Sequence, residues 1–379
     1  MKFYRFEEGL TKTEGTLITY KNYPILTARN VLVDFRNLYA TTQGLGPVCV
    51  FNDKTAVTPL SLAYGAPQKL YNLEKEEAQE GKYEKLLDQS SCDIEKGCPL
   101  ADFNYINFWH FLMECAPKVV ALERLGFDGA YIFPKAFFKP YIYSWLAYMN
   151  VPKERIVLVE NPVRVKELYL PLSLVHSTWR IKGYSGSLLL DTRSYMLKPI
   201  ARKIPLWGKG KLYITRKETR RCLNEEDYRD SLEQRGIKFV DMAVLPLEEQ
   251  ILLAASSNYI IGPHGAAMAH TMFMPYFSTI VELFSSEYTQ SCVFEQIRLL
   301  GHNYYMLVSK SEPDESEKNG SPTFTDMRIN DELWNLHLEN SLGMSCGFKS
   351  KFHWLKDRLY TWSRDKSWQS LTRGGTPCL

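Results

Sequence analysis

The stretch IIGPHGAAMAH, Ile260 to His270, runs from an apolar pair through Gly262-Pro263-His264-Gly265 into a series of small residues. That order predicts a strand, a tight turn, and a helix opening at Ala266, Ala267 and Met268. In open α/β sheets such turns lie beyond the carboxyl ends of the strands, where unbonded N–H groups at a helix start attract anions. Gly265 would let a phosphate approach the backbone, and His264 would add a hydrogen bond. The same residues also suit a plain strand-to-helix turn with a histidine in the core, so the reading depends on its surroundings.

Those surroundings are regular. From Lys211 onward, short β-branched runs alternate with helical periodicity, the mark of parallel strands joined by crossover helices. The expected strands are KLYIT, IKFV, NYIIG, TIVELF and YYMLV. The expected helices are NEEDYRDSLEQRG, LEEQILLAASS, the segment from Gly265, and YTQSCVFEQIRLLG. Asn224 suits an N-cap and Gly236 a helix stop. Five strands and four helices make a Rossmann-like half. In YITRKETRRCLNEED, Arg216, Lys217, Arg220 and Arg221 follow a strand of the same sheet, so two separate elements can converge on one anion. Arginine grips phosphate oxygens through a planar fork, although any one of these residues suits a solvated surface charge equally well. Neither turn carries G-x-G-x-x-G or a Walker A sequence, which weakens dinucleotide and P-loop readings.

A chain of 379 residues, 45% apolar and 13% aromatic, is large enough for two cores. The first half is less regular. Strands are expected at ILTARNVLVDF, AYIFP, RIVLVE and ELYLP, with a long amphipathic helix starting near Asn107, so it too reads as α/β. The charged stretches Leu73–Pro99 and Lys310–Pro322 read as surface loops. The domain boundary is expected between about Leu190 and Gly210, giving domains at 1–200 and 201–330 and a tail at 331–379. The formal charge of +3, from 46 basic and 43 acidic residues, sets up no global field for nucleic acid. Eight scattered cysteines without a C-x-x-C pair fit a reducing compartment. Neither a signal-peptide pattern at the start nor an apolar run of about 18 residues is evident, so the expected location is cytoplasmic.

In NFWHFLMECAPK, His110 and Glu114 stand four apart, on one face of a helix. Glu114 could orient an imidazole that removes a hydroxyl proton, or could itself be the base; a buried polar pair on a core helix is the plainer alternative. Taken together, Asn107-x-x-His110-x-x-x-Glu114, YITR with Arg220 and LN, IIGPHGAAMAH, and VELF resemble glycosyltransferase family 61. The likeness extends from about Asp102 to Val308. It implies a GT-B fold, two Rossmann-like domains facing across a cleft, the first mainly binding acceptor and the second the nucleotide sugar. It also implies inversion at the anomeric carbon by direct displacement. On this resemblance Asn107, His110 and Glu114 fall on the acceptor side, with His110 and Glu114 catalytic. Arg216, Arg220, Gly262, His264, Gly265 and Ala266 match donor-side positions. Glu282, in VELF, looks like the carboxylate that in many GT-B enzymes meets a ribose or sugar hydroxyl, with burial against a basic group as its alternative. The acidic position is glutamate here, where animal members carry aspartate.

A nucleoside diphosphate leaving group gains negative charge in the transition state, so arginines and helix-terminal N–H groups can take a metal's place. The chain has no D-x-D sequence. No metal and no cofactor are therefore expected, the nucleotide sugar being a co-substrate. The resulting expectation is an inverting transferase that builds a surface polysaccharide or glycolipid, with a glycan or lipid-linked glycan as acceptor. The alternatives are a non-catalytic nucleotide- or glycan-binding module and, more distantly, a nucleotide-dependent enzyme of another reaction class. The tail from Gly347 to Leu379 holds seven lysines and arginines against two aspartates. Helical winding there would align Phe348, Phe352, Leu355, Leu359 and Trp362 in one stripe. Such a segment suits an anionic membrane surface at the inner face, or packs on the first domain.

Overall fold

The computed structural model describes residues 2–6, 12–35, 47–51, 55–58, 93–101, 104–174, 183–205, 208–312 and 325–331. It also describes residues 72, 75–76, 78–81, 334 and 341–342. The tail from Gly347 lies outside these residues. The chain divides into two compact units, Met1–Pro199 and Ile200–Leu379. Both are mixed α/β, each built on its own sheet.

The first unit's sheet runs β1 (Lys2–Arg5), β5 (Thr55–Thr58), β4 (Val48–Val50), β3 (Tyr23–Asp34), β9 (Val163–Pro171), β6 (Asp93–Pro99), β7 (Ala130–Pro134), β8 (Ile156–Val159). A further strand, β2 (Thr16–Tyr20), pairs antiparallel with β3. The strands β9, β6, β7 and β8 are mutually parallel, whereas β3 joins β9 antiparallel. The stretch read as a surface loop at Leu73–Pro99 therefore ends in an inner strand. Only Gly97, Cys98 and Pro99 of β6 are buried, and the charges of Asp93, Glu95 and Lys96 sit on its open end. A side chain at Gly97 would come within 2.8 Å of Ile132 on β7, so the inner strand needs a residue without one.

The β6–β7 crossover carries the expected helix, but not as one α-helix. The short α1 (Phe108–His110) passes into a π-helical turn (Phe111–Cys115) and then α2 (Ala116–Arg124). Pro117 has no N–H to donate and its ring crowds the carbonyl four residues back. The bond is made instead one residue earlier, from the Ala116 N–H to the Phe111 carbonyl, five residues apart. The unit also holds two helices that the periodicity missed, α3 (Pro140–Tyr148) and α4 (Gly183–Leu197).

The second unit follows the expected alternation closely. Strands β10 (Gly210–Ile214), β11 (Ile237–Val240), β12 (Ser257–Pro263), β13 (Thr279–Ser285) and β14 (Asn303–Glu312) pair parallel in the order β11-β10-β12-β13-β14. An antiparallel β15 (Asp326–Arg328) extends the edge, pairing with Lys310, Ser311 and Glu312, which were read as loop. Alternation sorts the side chains to two cores. Tyr213, Tyr259, Ile261, Val281 and Leu283 pack on one face, with Tyr228 and Leu232 of α5 (Glu225–Gln234). Leu212, Ile214, Ile260, Ile280 and Met268 pack on the other, the side chains alternating between faces with period two. Gly236, with φ +76, ends α5 as expected. Asn224 precedes that helix but does not cap it; its amide bonds the backbone of Ile329 instead, Oδ1 accepting at 2.9 Å and Nδ2 donating at 3.0 Å. The helix α6 (Leu247–Ala255) covers the β11–β12 crossover. The helix α7 (Cys292–Ile297) starts later than its sequence suggests.

The segment after Gly265 is a 3₁₀ helix, Ala266–Phe273, rather than the expected α-helix. Two side chains reinforce the tighter winding by bonding carbonyls three residues back: Thr271 donates to Met268 and His270 Nδ1 pairs with Ala267. His270 Nε2 meets the Gln250 side chain at 2.9 Å, and burial lowers the imidazole to about 4. The unfolded chain, with a histidine near about 6.5, takes up that proton first as pH falls. Stability contributed by neutral His270 is thus complete above pH 6.5 and lost progressively towards about 4. Urea unfolding of His270→Gln should therefore lose less stability between pH 7 and pH 5 than the wild type; parallel losses would show that another group governs the acid limb.

Candidate active site

At the carboxyl end of β6, Asn107 sets the start of the crossover helix. Its Oδ1 accepts from the Trp109 N–H at 2.9 Å, an N-cap. The expected acceptor-side position is thus occupied by a residue whose side chain already holds the helix. Phe108 lies against Tyr141 and Trp145, and Trp109 meets His110 edge-on at 5.1 Å, so the aromatic packing fixes where the imidazole stands. His110 Nδ1 bonds Glu114 Oε1 directly; the residues are 5% and 1% exposed. In a turn closed at five residues, side chains four apart stand nearer to eclipsed than in an α-helix, which brings the pair together.

In the second unit the predicted basic cluster separates into two kinds. Lys217 pairs with Asp241 at 3.0 Å, and Arg221 clasps Asp326 at 2.6 and 2.8 Å. Arg216 and Arg220 pair with no carboxylate among the described residues. The Arg216 guanidinium is anchored by the Thr219 carbonyl and by Thr219 Oγ1 at 3.2 Å. Arg220, in left-handed backbone at φ +57, lies 5.4 Å over the Tyr288 ring, and its buried Nε has no hydrogen-bond partner. Burial, and then the charge of Arg220, brings Arg216 down to about 10. Burial likewise lowers Arg220, against the opposing influence of Tyr288, Cys292 and Glu282. Burial thus disfavours the charge of both arginines, and at Arg216 the neighbouring cation adds to it.

The turn from the opening stretch is the other wall of this place. A Cβ at Gly265 would overlap Arg216 Nη1, so the glycine is where two neighbouring strand ends touch. Its φ of 172 is ordinary extended backbone, and the requirement is room. Gly262 meets a different need: a side chain there would lie 2.6 Å from the Ile214 carbonyl, against the adjoining strand β10. Ala266 opens the 3₁₀ helix. His264 stacks on Phe284 at 4.8 Å, and its Nδ1 lies 2.5 Å from Glu282 Oε1. Glu282 is 0% exposed, and its Oε2 accepts from the Tyr304 hydroxyl at 2.6 Å. Both carboxylate oxygens are thus taken, and Glu282 reaches a ligand only through His264. Sequence reasoning missed Tyr288, Thr219 and Tyr304. A tyrosine shortly after a strand end was the one available signal for Tyr288. Among the described residues no group of three or more His, Cys, Asp or Glu gathers to hold a metal, and no helix is long and apolar enough to cross a membrane.

Fold and site together define an α/β protein with two partly buried arginines at a strand edge in one unit and a histidine–carboxylate pair on a crossover helix in the other. Residues 108–281 match the family described as Glycosyltransferase 61, the family that the sequence resembles. The chain is 29% identical over 184 residues to the EGF domain-specific O-linked N-acetylglucosamine transferase of Drosophila melanogaster, covering 44% of this chain and 34% of that one. The Gallus gallus protein of the same description is 28% identical over 159 residues, 40% of this chain and 28% of its own. The chain thus spans about a third of the length of the curated relatives it matches.

Gly265→Ala tests the meeting of the two strand ends. The added methyl should displace the Arg216 guanidinium and weaken nucleoside diphosphate binding as much as Arg216→Ala does. The double variant should be no weaker than either single one, because both remove the same contact. Additive losses, measured by calorimetry, would separate the two residues.

Proposed function

We propose that this chain is an inverting, nucleotide-sugar-dependent glycosyltransferase of GT-B type that transfers a sugar to a hydroxyl of a glycan or glycolipid. The observation that carries the reading is the pair Arg216 and Arg220, partly buried without a paired carboxylate, with Arg216 set against Gly265 and Arg220 over Tyr288. A diphosphate supplies the negative charge this place lacks, and the charge it gains on leaving is stabilised there more than in the ground state. His110 takes the acceptor proton. Glu114, buried behind Nδ1, fixes the tautomer and stabilises the imidazolium as it forms. Attack by the resulting oxygen on the anomeric carbon expels the nucleoside diphosphate with inversion. The relatives are named for N-acetylglucosamine transfer, which makes that sugar the first donor to test. Action at the cytoplasmic face in polysaccharide synthesis, with the basic tail on an anionic membrane, belongs to the same proposal.

A thermal-shift screen over nucleoside diphosphates and nucleotide sugars identifies the donor, since a ligand of the native state raises apparent stability. Arg216→Ala and Arg220→Ala should each weaken the best ligand by about 1.5–3 kcal/mol, roughly ten- to hundredfold. Unchanged affinity in both would remove the phosphate assignment.

His110→Ala should leave donor binding intact while lowering kcat by on the order of 10²–10⁴. Glu114→Gln should also lower kcat, with product still formed. Transfer at the wild-type rate in both folded variants would place the base elsewhere, and donor binding without any transfer by the wild type would favour a binding module.

A further inference from the structure

The hydrogen bond between Glu282 and His264 has a consequence for ligand charge. The imidazole offers a ligand Nε2, because Nδ1 faces Glu282 Oε1 at 2.5 Å. Three protonation forms of the pair are possible. With Glu282 ionised and His264 neutral, the ring proton sits on Nδ1, and Nε2 presents a lone pair that repels an anionic oxygen. With an imidazolium, or with a neutral histidine against a protonated Glu282, Nε2 carries a hydrogen and can donate. Both donating forms hold one proton more than the first. The Tyr304 hydroxyl donates to Oε2 at 2.6 Å and so holds the carboxylate in place against the ring.

We propose that anion binding in this site is proton-linked: a diphosphate contacts His264 Nε2 only when the Glu282–His264 pair has taken up one proton from solvent, with Glu282 and Tyr304 as positioning residues. This rests on the donor-site reading above. The groups around the pair come from four elements. Glu282 on β13 supports the imidazolium, and Tyr304 on β14 stands behind it. Arg216 and Arg220, after β10, oppose a third positive charge until an anion arrives; Arg220 lies over Tyr288, whose ring is 5.7 Å from that of His264. Cys292, on α7, is pushed up to about 12 by burial and then by Glu282, and so stays a neutral thiol. Phe284 covers one face of the ring. The proton enters with the ligand, and the site gains a third cationic donor when the leaving charge needs it.

The test is calorimetry from pH 6 to 8.5, in buffers of differing ionisation enthalpy, on the full chain. This range stays below that in which Arg216, at about 10, loses its charge. The probes are UDP-N-acetylglucosamine, GDP-mannose and inorganic sulfate, whose anionic charges are fixed throughout it. Expected is a loss of affinity approaching about tenfold per pH unit on the alkaline side, with about one proton taken up per ligand bound there. Glu282→Gln should flatten the profile, because an amide can donate to Nδ1 and leave the neutral ring with an Nε2 hydrogen. Tyr304→Phe, which keeps the carboxylate but removes a donor from it, should move the alkaline midpoint upward. Binding that is equal at pH 6 and 8.5 without proton uptake overturns the proton linkage and leaves the donor site standing. No binding of any probe overturns the donor-site reading itself and the linkage with it.

Discussion

Two guanidinium groups placed together out of bulk water are unfavourable unless something negative joins them, and among the described residues no carboxylate pairs directly with Arg216 or Arg220. Their neighbours Lys217 and Arg221 do receive carboxylates, from the loop after β11 and from β15. The chain therefore neutralises two of four clustered cations and leaves two. Loss of hydration at these two is reflected in the lowered values of both groups. Thr219, Tyr288 and the bare Cα of Gly265 hold them in place without cancelling their charge.

The same device recurs at both candidate centres: a histidine whose Nδ1 is held by a buried glutamate. At His110 the partner lies four residues away along a helix; at His264 it lies on the next strand. In each case the carboxylate fixes the orientation of the ring. The local geometries differ because the backbones differ. Pro117 forces the helix open by one residue, whereas parallel pairing of β12 and β13 sets Gly262 against Glu282, beside His264.

Both arrangements sit where crossover connections leave the carboxyl ends of parallel strands. There the sheet's own hydrogen bonding ends, so side chains and loops can be spent on a ligand. The rest of each strand is apolar and alternates between two cores, which keeps the ends rigid. Glu282 is the exception that marks the site, an acid in the middle of a strand buried along its whole length. It is tolerated because both its oxygens have partners.

From Lys211 to Val308 the sequence by itself determined the strands, most of the helices and the turn at Gly262–Gly265, because period-two apolar runs and glycine stops are local signals. It also placed His110 and Glu114 on one helix face. It misread β6, whose charged first half hides a buried inner end, and it expected an α-helix where side-chain bonds three residues apart wind a 3₁₀ one. Only the tertiary structure decided which basic residues are free, since Asp326 lies 105 residues beyond Arg221 in the chain. It likewise turned Asn224 from a cap into a tie to Ile329, and Glu282 from a candidate sugar contact into the support of His264. Charge compensation and hydrogen-bond satisfaction depend on distance in space, and the order of residues along a strand does not contain it.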